Sequence, residues 1–306
     1  MNRQTRGSVE MTAAMTISGT IGWFVLISKQ PVLDVVFWRC AFGALTLLII
    51  CIALGLLRGQ LNRRVLTLAA LGGAAIVTNW LLLFASYSRA SISIATAVYN
   101  TQPFMLVALG ALLFHEKITT SKIAWLTLAF TGMLLIVQSS HGDSSGSNYF
   151  AGIAMALAAA FFYALAAIAA KKLTGTPPHL IALIQVCVGV LMLAPFAQFS
   201  SLPSTASTWT TLVTLGVVHT GVMYILLYGA IQKLPTHLTG SLSFIYPIVA
   251  ILVDYIAFDH RLHAMQMVGA SAILIAAAGT NLGWKLAVVR RPKCPQRAGP
   301  CVQTDS

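Results

Sequence analysis

Apolar residues run in stretches of about twenty along the whole chain, and short polar or turn-forming clusters separate them. A helix rises 1.5 Å per residue, so about twenty residues match the roughly 30 Å hydrocarbon core of a bilayer. The pattern predicts ten helices, over residues 10–28, 32–57, 65–87, 92–114, 121–138, 148–170, 179–199, 208–231, 237–257 and 263–287. The widest polar gap, from His141 to Asn148, is a Gly- and Ser-rich linker near the middle of the chain. It separates five helices from five and predicts a first unit over 1–140, the linker at 141–148, a second unit over 149–287 and a basic tail at 288–306.

Composition supports a membrane environment. At 58% hydrophobic and 8% charged residues, the chain has too few charges to cover a soluble globule of 306 residues. A net charge of +12 would point to nucleic acid in a soluble protein, but these cations lie mainly between apolar stretches and at the chain ends, where they report topology. With ten spans both termini lie on one side. Fifteen of the nineteen Lys and Arg residues fall on that side, against Lys29, Arg39, Arg89 and Arg261 on the other, so both termini are expected in the cytoplasm. Ser28-Lys29-Gln30-Pro31 follows the first apolar stretch in place of a small-x-small cleavage site, which predicts a retained helix.

An internal repeat appears when residues 66–136 are laid on 210–280. Thr67-Leu68-x-x-Leu71-Gly72 falls on Thr211-Leu212-x-x-Leu215-Gly216, Leu82-Leu83 on Leu226-Leu227, Pro103 on Pro247 and Phe114 on Phe258, all at a constant offset of 144. An odd number of helices per half makes the second copy enter the membrane from the opposite side, an inverted repeat of the kind that suits alternating access.

The order of these features carries a resemblance. Gly22-Trp23, Arg39, Pro103, Phe114-His115-Glu116-Lys117-Ile118 and Gly132 in the first half are followed by Pro247, Phe258-Asp259-His260-Arg261-Leu262 and Gly269 in the second. The chain so arranged resembles the drug/metabolite transporter superfamily, and within it the EamA-type exporters, from about residue 10 to 287. The resemblance implies an all-α membrane protein with ten transmembrane helices, as two inverted five-helix repeats around a central cavity, in a bacterial inner membrane. It also implies export of amino acids or similar small metabolites. The chain departs from the pattern where His260 takes the register position of Glu116, with Asp259 beside it as a substitute acid.

Polar residues at helical spacing within apolar stretches are expected to face inward, because lipid-facing polar groups are costly. Asn79, Trp80, Tyr99, Asn100, His219, Tyr224, Ser243 and Tyr246, completed by Trp23 and Tyr163, are the candidate substrate-binding residues. An aromatic-lined centre with a few amides and hydroxyls suits a substrate with an apolar side chain and polar ends. Pro103 and Pro247 are candidate hinges, with static kinks as the alternative. His219, Asp254 and Arg39 are candidate proton or charge sites. For Arg39 a structural role competes with carboxylate binding, and Asp254 is as readily paired with Arg261.

No Walker loop, G-x-S-x-G or H-E-x-x-H occurs, so nucleotide-driven transport and hydrolysis are unsupported, and no cofactor, metal site or catalytic set is expected. Glu10 is the sole acid of helix one and lies at its edge, which weakens a proton-coupled drug or amine exporter. A channel or an intramembrane enzyme is the alternative from another class. The GxxxG at Gly279–Gly283 permits close helix packing within a monomer or between two copies.

Overall fold

The structure is a computed structural model that describes residues 2–57, 61–90, 95, 98–116, 118–138, 149–197, 203–258, 264–282 and 284. The linker at 141–148, the tail at 288–306, and Thr96, Lys117, Asp259, His260, Arg261 and Gly283 lie outside these residues, as do the side chains of Pro247 and Asp254.

Among the described residues the ordered elements are helical. They are α1 (Arg3–Gly19), α2 (Ile21–Ser28), α3 (Val32–Ala53), α4 (Arg63–Ala90), α5 (Gln102–Phe114), α6 (Thr120–Gln138) and α7 (Tyr149–Lys172). The second half continues with α8 (Pro178–Leu193), α9 (Ala206–Gly216), a π-helical turn (Val217–Val222), α10 (Met223–Lys233), α11 (Thr236–Ser243), α12 (Ile245–Phe258) and α13 (Ala264–Leu282). Five segments are long and apolar enough to cross a membrane: Val32–Ala53, Arg63–Ser86, Phe150–Lys172, Pro178–Phe196 and Ala206–Lys233.

Local chemistry sets the element ends. Pro178 opens α8 and Pro103 lies in the first turn of α5, positions where a missing N–H interrupts no helical bond. Thr205 caps α9 by accepting from the Thr208 N–H at 3.3 Å. Helix α7 gives way to a turn containing Gly175 at φ +100°, a conformation open to glycine.

The outer faces are apolar: Leu45, Ile49 and Ile52 of α3 are more than half exposed, as is Leu191 of α8. Polar side chains lie inside, with Arg39, Asn79, Asn100, Gln185, His219 and Thr220 all buried. Apolar outside and polar inside is the inverse of a water-soluble helical protein and the arrangement a hydrocarbon solvent favours.

The halves interlock rather than sit side by side. Helix α4 of the first half packs along α7 of the second, and its counterpart rod, α9 with α10, packs along α1 and α3. The repeat-matched glycines explain how the rods cross. A Cβ on Gly72 would stand 2.5 Å from the Gln185 Nε2 and 3.1 Å from the Ala169 Cβ, with the next residue, Gly73, placing one 2.8 Å from the Gln185 Cα, and a Cβ on Gly216 would stand 3.0 Å from the Gly43 N and closer still to Phe42. The motif shared at offset 144 therefore does the same work twice, α4 against α8 and α9 against α3. Helices α6 and α13 close on each other at Gly132, where an added Cβ would lie 2.6 Å from the Gly269 carbonyl oxygen.

Two ionic latches tie the chain at the end that holds the start of α1 and the ends of α5, α7 and α10. Glu116, just past α5, accepts from Lys171 Nζ at 2.7 Å, from the Thr236 hydroxyl at 2.5 Å and from the Thr236 N–H at 3.1 Å. Lys171 also donates to the Leu234 carbonyl at 3.1 Å. In the second latch Glu10 of α1 pairs with Lys233 of α10 and, at 3.1 Å, with Arg6. Burial pushes the Glu116 carboxyl up, but the bonds from Lys171 and Thr236 and the Lys171 charge outweigh it and hold the group below its ordinary value.

Two outcomes are expected in thermal melting of the detergent-solubilised protein. Gly132→Ala lowers stability by about 1–3 kcal/mol through overpacking, whereas Gly22→Ala, with nothing within 4 Å of the added Cβ, does not. Glu116→Gln costs about 1–2 kcal/mol near pH 7. A depressed carboxyl contributes stability above its unfolded pKa, about 4.3, and loses it as pH falls through the lower folded value. The gap between Glu116→Gln and wild type therefore closes on acidification below about pH 4.

Candidate functional site

Backbone irregularities gather where the halves meet. The first rod breaks between α1 and α2 at Thr20, the eighth predicted helix widens to a π turn at Val217–Val222, and the ninth breaks at Phe244 between α11 and α12. Asn100 and Thr101, just before α5, form the corresponding break of the first half, because 100 and 244 differ by the repeat offset. Each proline falls shortly after its break, Pro103 in the first turn of α5 and Pro247 as the third residue of α12. The sequence pattern predicts both prolines inside continuous helices; in the structure they start half-helices, so the joint lies at Asn100–Thr101 and at Phe244.

The wide turn aims two side chains at carbonyls five residues back. Thr220 donates to Leu215 O at 2.9 Å, and His219 Nδ1 lies 3.4 Å from Thr214 O. His219 Nε2 shares a 2.7 Å hydrogen bond with the Thr20 hydroxyl, which also reaches Ile17 O at 2.8 Å, so the two irregular helices meet through one imidazole. Phe24 covers the imidazole at 4.8 Å between centroids, and Trp23 packs edge-on to Phe24 at 4.9 Å. Trp23 thus reaches the centre only through Phe24.

Arg39 of α3 stands beside this turn. Its side chain is 1% exposed, Nε donates to Thr220 Oγ1 at 3.1 Å, Nη2 donates to His219 O at 3.3 Å, and the guanidinium carbon lies 4.1 Å over the Trp80 ring. Thr220 is satisfied in both roles, as donor to Leu215 and acceptor from Arg39.

Beyond Trp80 the aromatic layer continues. Trp80 meets Tyr224 edge-on at 5.7 Å, Tyr224 meets Tyr228 at 5.2 Å, and Tyr99 meets Tyr163 at 6.3 Å. Asn79 joins three rods by donating to the Tyr99 hydroxyl at 3.2 Å and to Ala159 O at 2.7 Å. Tyr224 and Tyr246 lie within electrostatic reach of Tyr99. Ser243, near Tyr163, donates to Thr239 O at 2.8 Å. Asn100 is buried at the break before α5. Eight of the ten residues predicted to bind substrate, Asn79, Trp80, Tyr99, Tyr163, His219, Tyr224, Ser243 and Tyr246, therefore lie with Arg39 in one layer between the halves, Trp23 borders it, and Asn100 is buried at the nearby break.

Buried hydrogen-bonding capacity is left over in this layer. Among the described residues, Asn79 Oδ1 and the Tyr163 hydroxyl have no hydrogen-bond partner, nor does Gln102 Oε1 at the start of α5. Buried polar atoms are ordinarily satisfied, so this concentration of spare valence marks a place where a polar ligand gains bonds.

Thr20, Thr220 and the wide turn itself escaped the predicted site. A sequence signal existed for the turn, since His219 and Thr220 lie between Gly216 and Gly221 inside an apolar helix. Thr20 carries a similar signal, since it lies between Gly19 and Gly22. Among the described residues no three His, Cys, Asp or Glu side chains come together as metal ligands.

Known proteins resemble this chain in sequence and in fold. An uncharacterized transporter, YxxF, of Bacillus subtilis (strain 168) is 30% identical over 287 residues, spanning 92% of this chain and 89% of its own length. A probable amino-acid metabolite efflux pump of Escherichia coli (strain K12) is 27% identical over 213 residues, 64% of this chain and 70% of the relative. A solved crystal structure superposes with a TM-score of 0.79 at 17% identity, covering 91% of this chain and 97% of its counterpart, a likeness of fold. Residues 6–138 and 150–282 each match the EamA-like transporter family, one match per half, and the chain belongs to that family.

Proposed function

We infer that this chain exports small metabolites, amino acids of neutral or aromatic type above all, by alternating access across a bacterial inner membrane. It does so with ten membrane-crossing segments and both termini in the cytoplasm. The observation that carries the reading is the enclosed layer of Asn79, Trp80, Tyr99, Tyr163 and Tyr224 at the junction of two interlocked, repeat-related halves. Ring faces suit an apolar or aromatic side chain, and the amide and hydroxyl groups suit the polar end of an amino acid. The amino-acid metabolite efflux pump among the relatives supports the substrate class.

In this reading the latch end is the cytoplasmic gate. Glu116–Lys171–Thr236 and Glu10–Lys233 join five helix ends there, and these pairs must part for substrate to enter from the cytoplasm. The breaks at Asn100–Thr101 and Phe244 let α5 and α12 swing as half-helices, with Pro103 and Pro247 setting their first turns. His219, bonded to a hydroxyl and near a carbonyl, is the group placed to exchange a proton if transport is coupled.

Counterflow in proteoliposomes across neutral, aromatic and charged amino acids, with and without a pH gradient, tests the function. Exchange of aromatic and neutral amino acids is expected, and exchange of none of them rejects the substrate class. Trp80→Ala and Tyr224→Ala should each lower the exchange rate at least about tenfold, by removing ring contacts worth about 1–2 kcal/mol or more. Pro103→Ala should slow exchange without unfolding the protein, and an unchanged rate removes the proline from the hinge.

A further inference from the structure

The Arg39 guanidinium is a permanent charge enclosed in the interior of an apolar bundle, where such charges are ordinarily paired or functional. Among the described residues, the groups that touch it do not neutralise it. Thr220 offers a hydroxyl, His219 a carbonyl and Trp80 a ring face, all uncharged. The ion pairs among the described residues join Arg6, Lys171 and Lys233 to Glu10 and Glu116, and none includes Arg39. Among the described residues two of the five guanidinium N–H groups make hydrogen bonds, which leaves donors on the far side of the fork.

A neutral side chain would serve as well if the contact were only a tie between α3 and the wide turn. A glutamine or asparagine can bond a hydroxyl and a carbonyl without the cost of burying charge. The cation makes physical sense when its counter-charge arrives from outside the protein. The groups around it also limit that charge. The other described cations, Lys29 and Arg89 among them, are not buried with Arg39, so one positive charge faces the layer, enough for a monoanion and too little for a phosphate ester.

We propose that Arg39 is the anchor for the carboxylate of the substrate, received on the free side of its fork and oriented by Thr220 and the Trp80 ring, so that the transported class is α-amino or other monocarboxylic acids carrying an apolar group. This rests on the transport reading above and adds to it the group recognised and the residue that recognises it. With the carboxylate at Arg39, the side chain lies along Trp80 and Tyr224, and Asn79 Oδ1 and the Tyr163 hydroxyl remain as partners for the polar groups at the other end. Both carrier directions use the same fork, because Arg39 bonds across the two halves and is offered to whichever side opens.

The test uses three ligands that share a benzyl group in the full-length protein: L-phenylalanine, phenylacetate and L-phenylalanine amide. Each is measured by thermal shift in detergent and by counterflow in proteoliposomes, for wild type, Arg39→Lys and Arg39→Gln. Wild type should be stabilised and should exchange the two carboxylates at least about tenfold better than the amide. Arg39→Gln, with melting temperature near wild type, should lose that ratio, and Arg39→Lys should restore part of it, since the charge is kept and the fork is not. If Arg39→Gln keeps the ratio, or wild type takes the amide as well as the acids, the anchor is overturned while transport stands. Carboxylate-selective response to phenylacetate without phenylalanine supports the anchor and rejects the amino-acid reading. No response to any of the three rejects both. Should Arg39→Gln fail to fold, Thr220→Val, which withdraws one orienting bond and leaves the charge, should reduce the ratio, and an unchanged ratio overturns the proposal.

Discussion

One contact holds the centre of this protein together: a guanidinium from the first half, seated on Trp80, bonded to the wide turn of the second. A buried cation with neutral partners is a costly arrangement, and the π-helical turn reduces the cost by presenting the Thr220 hydroxyl and the His219 carbonyl together. The turn in turn positions His219 against the break at Thr20 of the first rod. Loss of the wide turn would leave Arg39 without acceptors and separate α3 from α9, so the irregular backbone, the charge and the junction of the halves form one unit.

Glycine crossings give this unit its rigidity on both sides. At Gly73 and at Gly216 the backbones approach too closely for any side chain, and each crossing links a rod of one half to a rod of the other. In hydrocarbon there is no hydrophobic drive to hold helices together, so close packing of small residues and a few buried polar bonds carry the association. The latches at Glu116 and Glu10 act differently. They lie at the edge of the bundle, are partly exposed and contribute modestly.

The chemistry of the centre follows from the same layering. Trp80 serves Arg39 on one face and Tyr224 on its edge, so the charged and aromatic parts of the layer share a wall. Asn79 fixes Tyr99 while keeping one oxygen unused. Under the proposed reading, a layer of this build would distinguish ligands by a single negative charge at one end and by ring contact along its length.

Hydrophobic periodicity and the offset of 144 by themselves determined the helical class, the extent of most helices and the pairing of Gly72 with Gly216, because burial in lipid forces long apolar runs and a repeated crossing demands the same small residue twice. Inward-facing polar residues were legible for the same reason, since Asn79, His219 and Ser243 are all buried. Tertiary structure alone decided where the rods break, since Thr20 and the Val217–Val222 turn depart from regular helix only in answer to each other and to Arg39. It alone also decided what Glu116 and Glu10 bind, because Lys171 and Lys233 are 55 and 223 residues away and no local pattern brings them together. Sequence periodicity reports which face a residue takes; which distant group it meets there depends on how the two halves interlock.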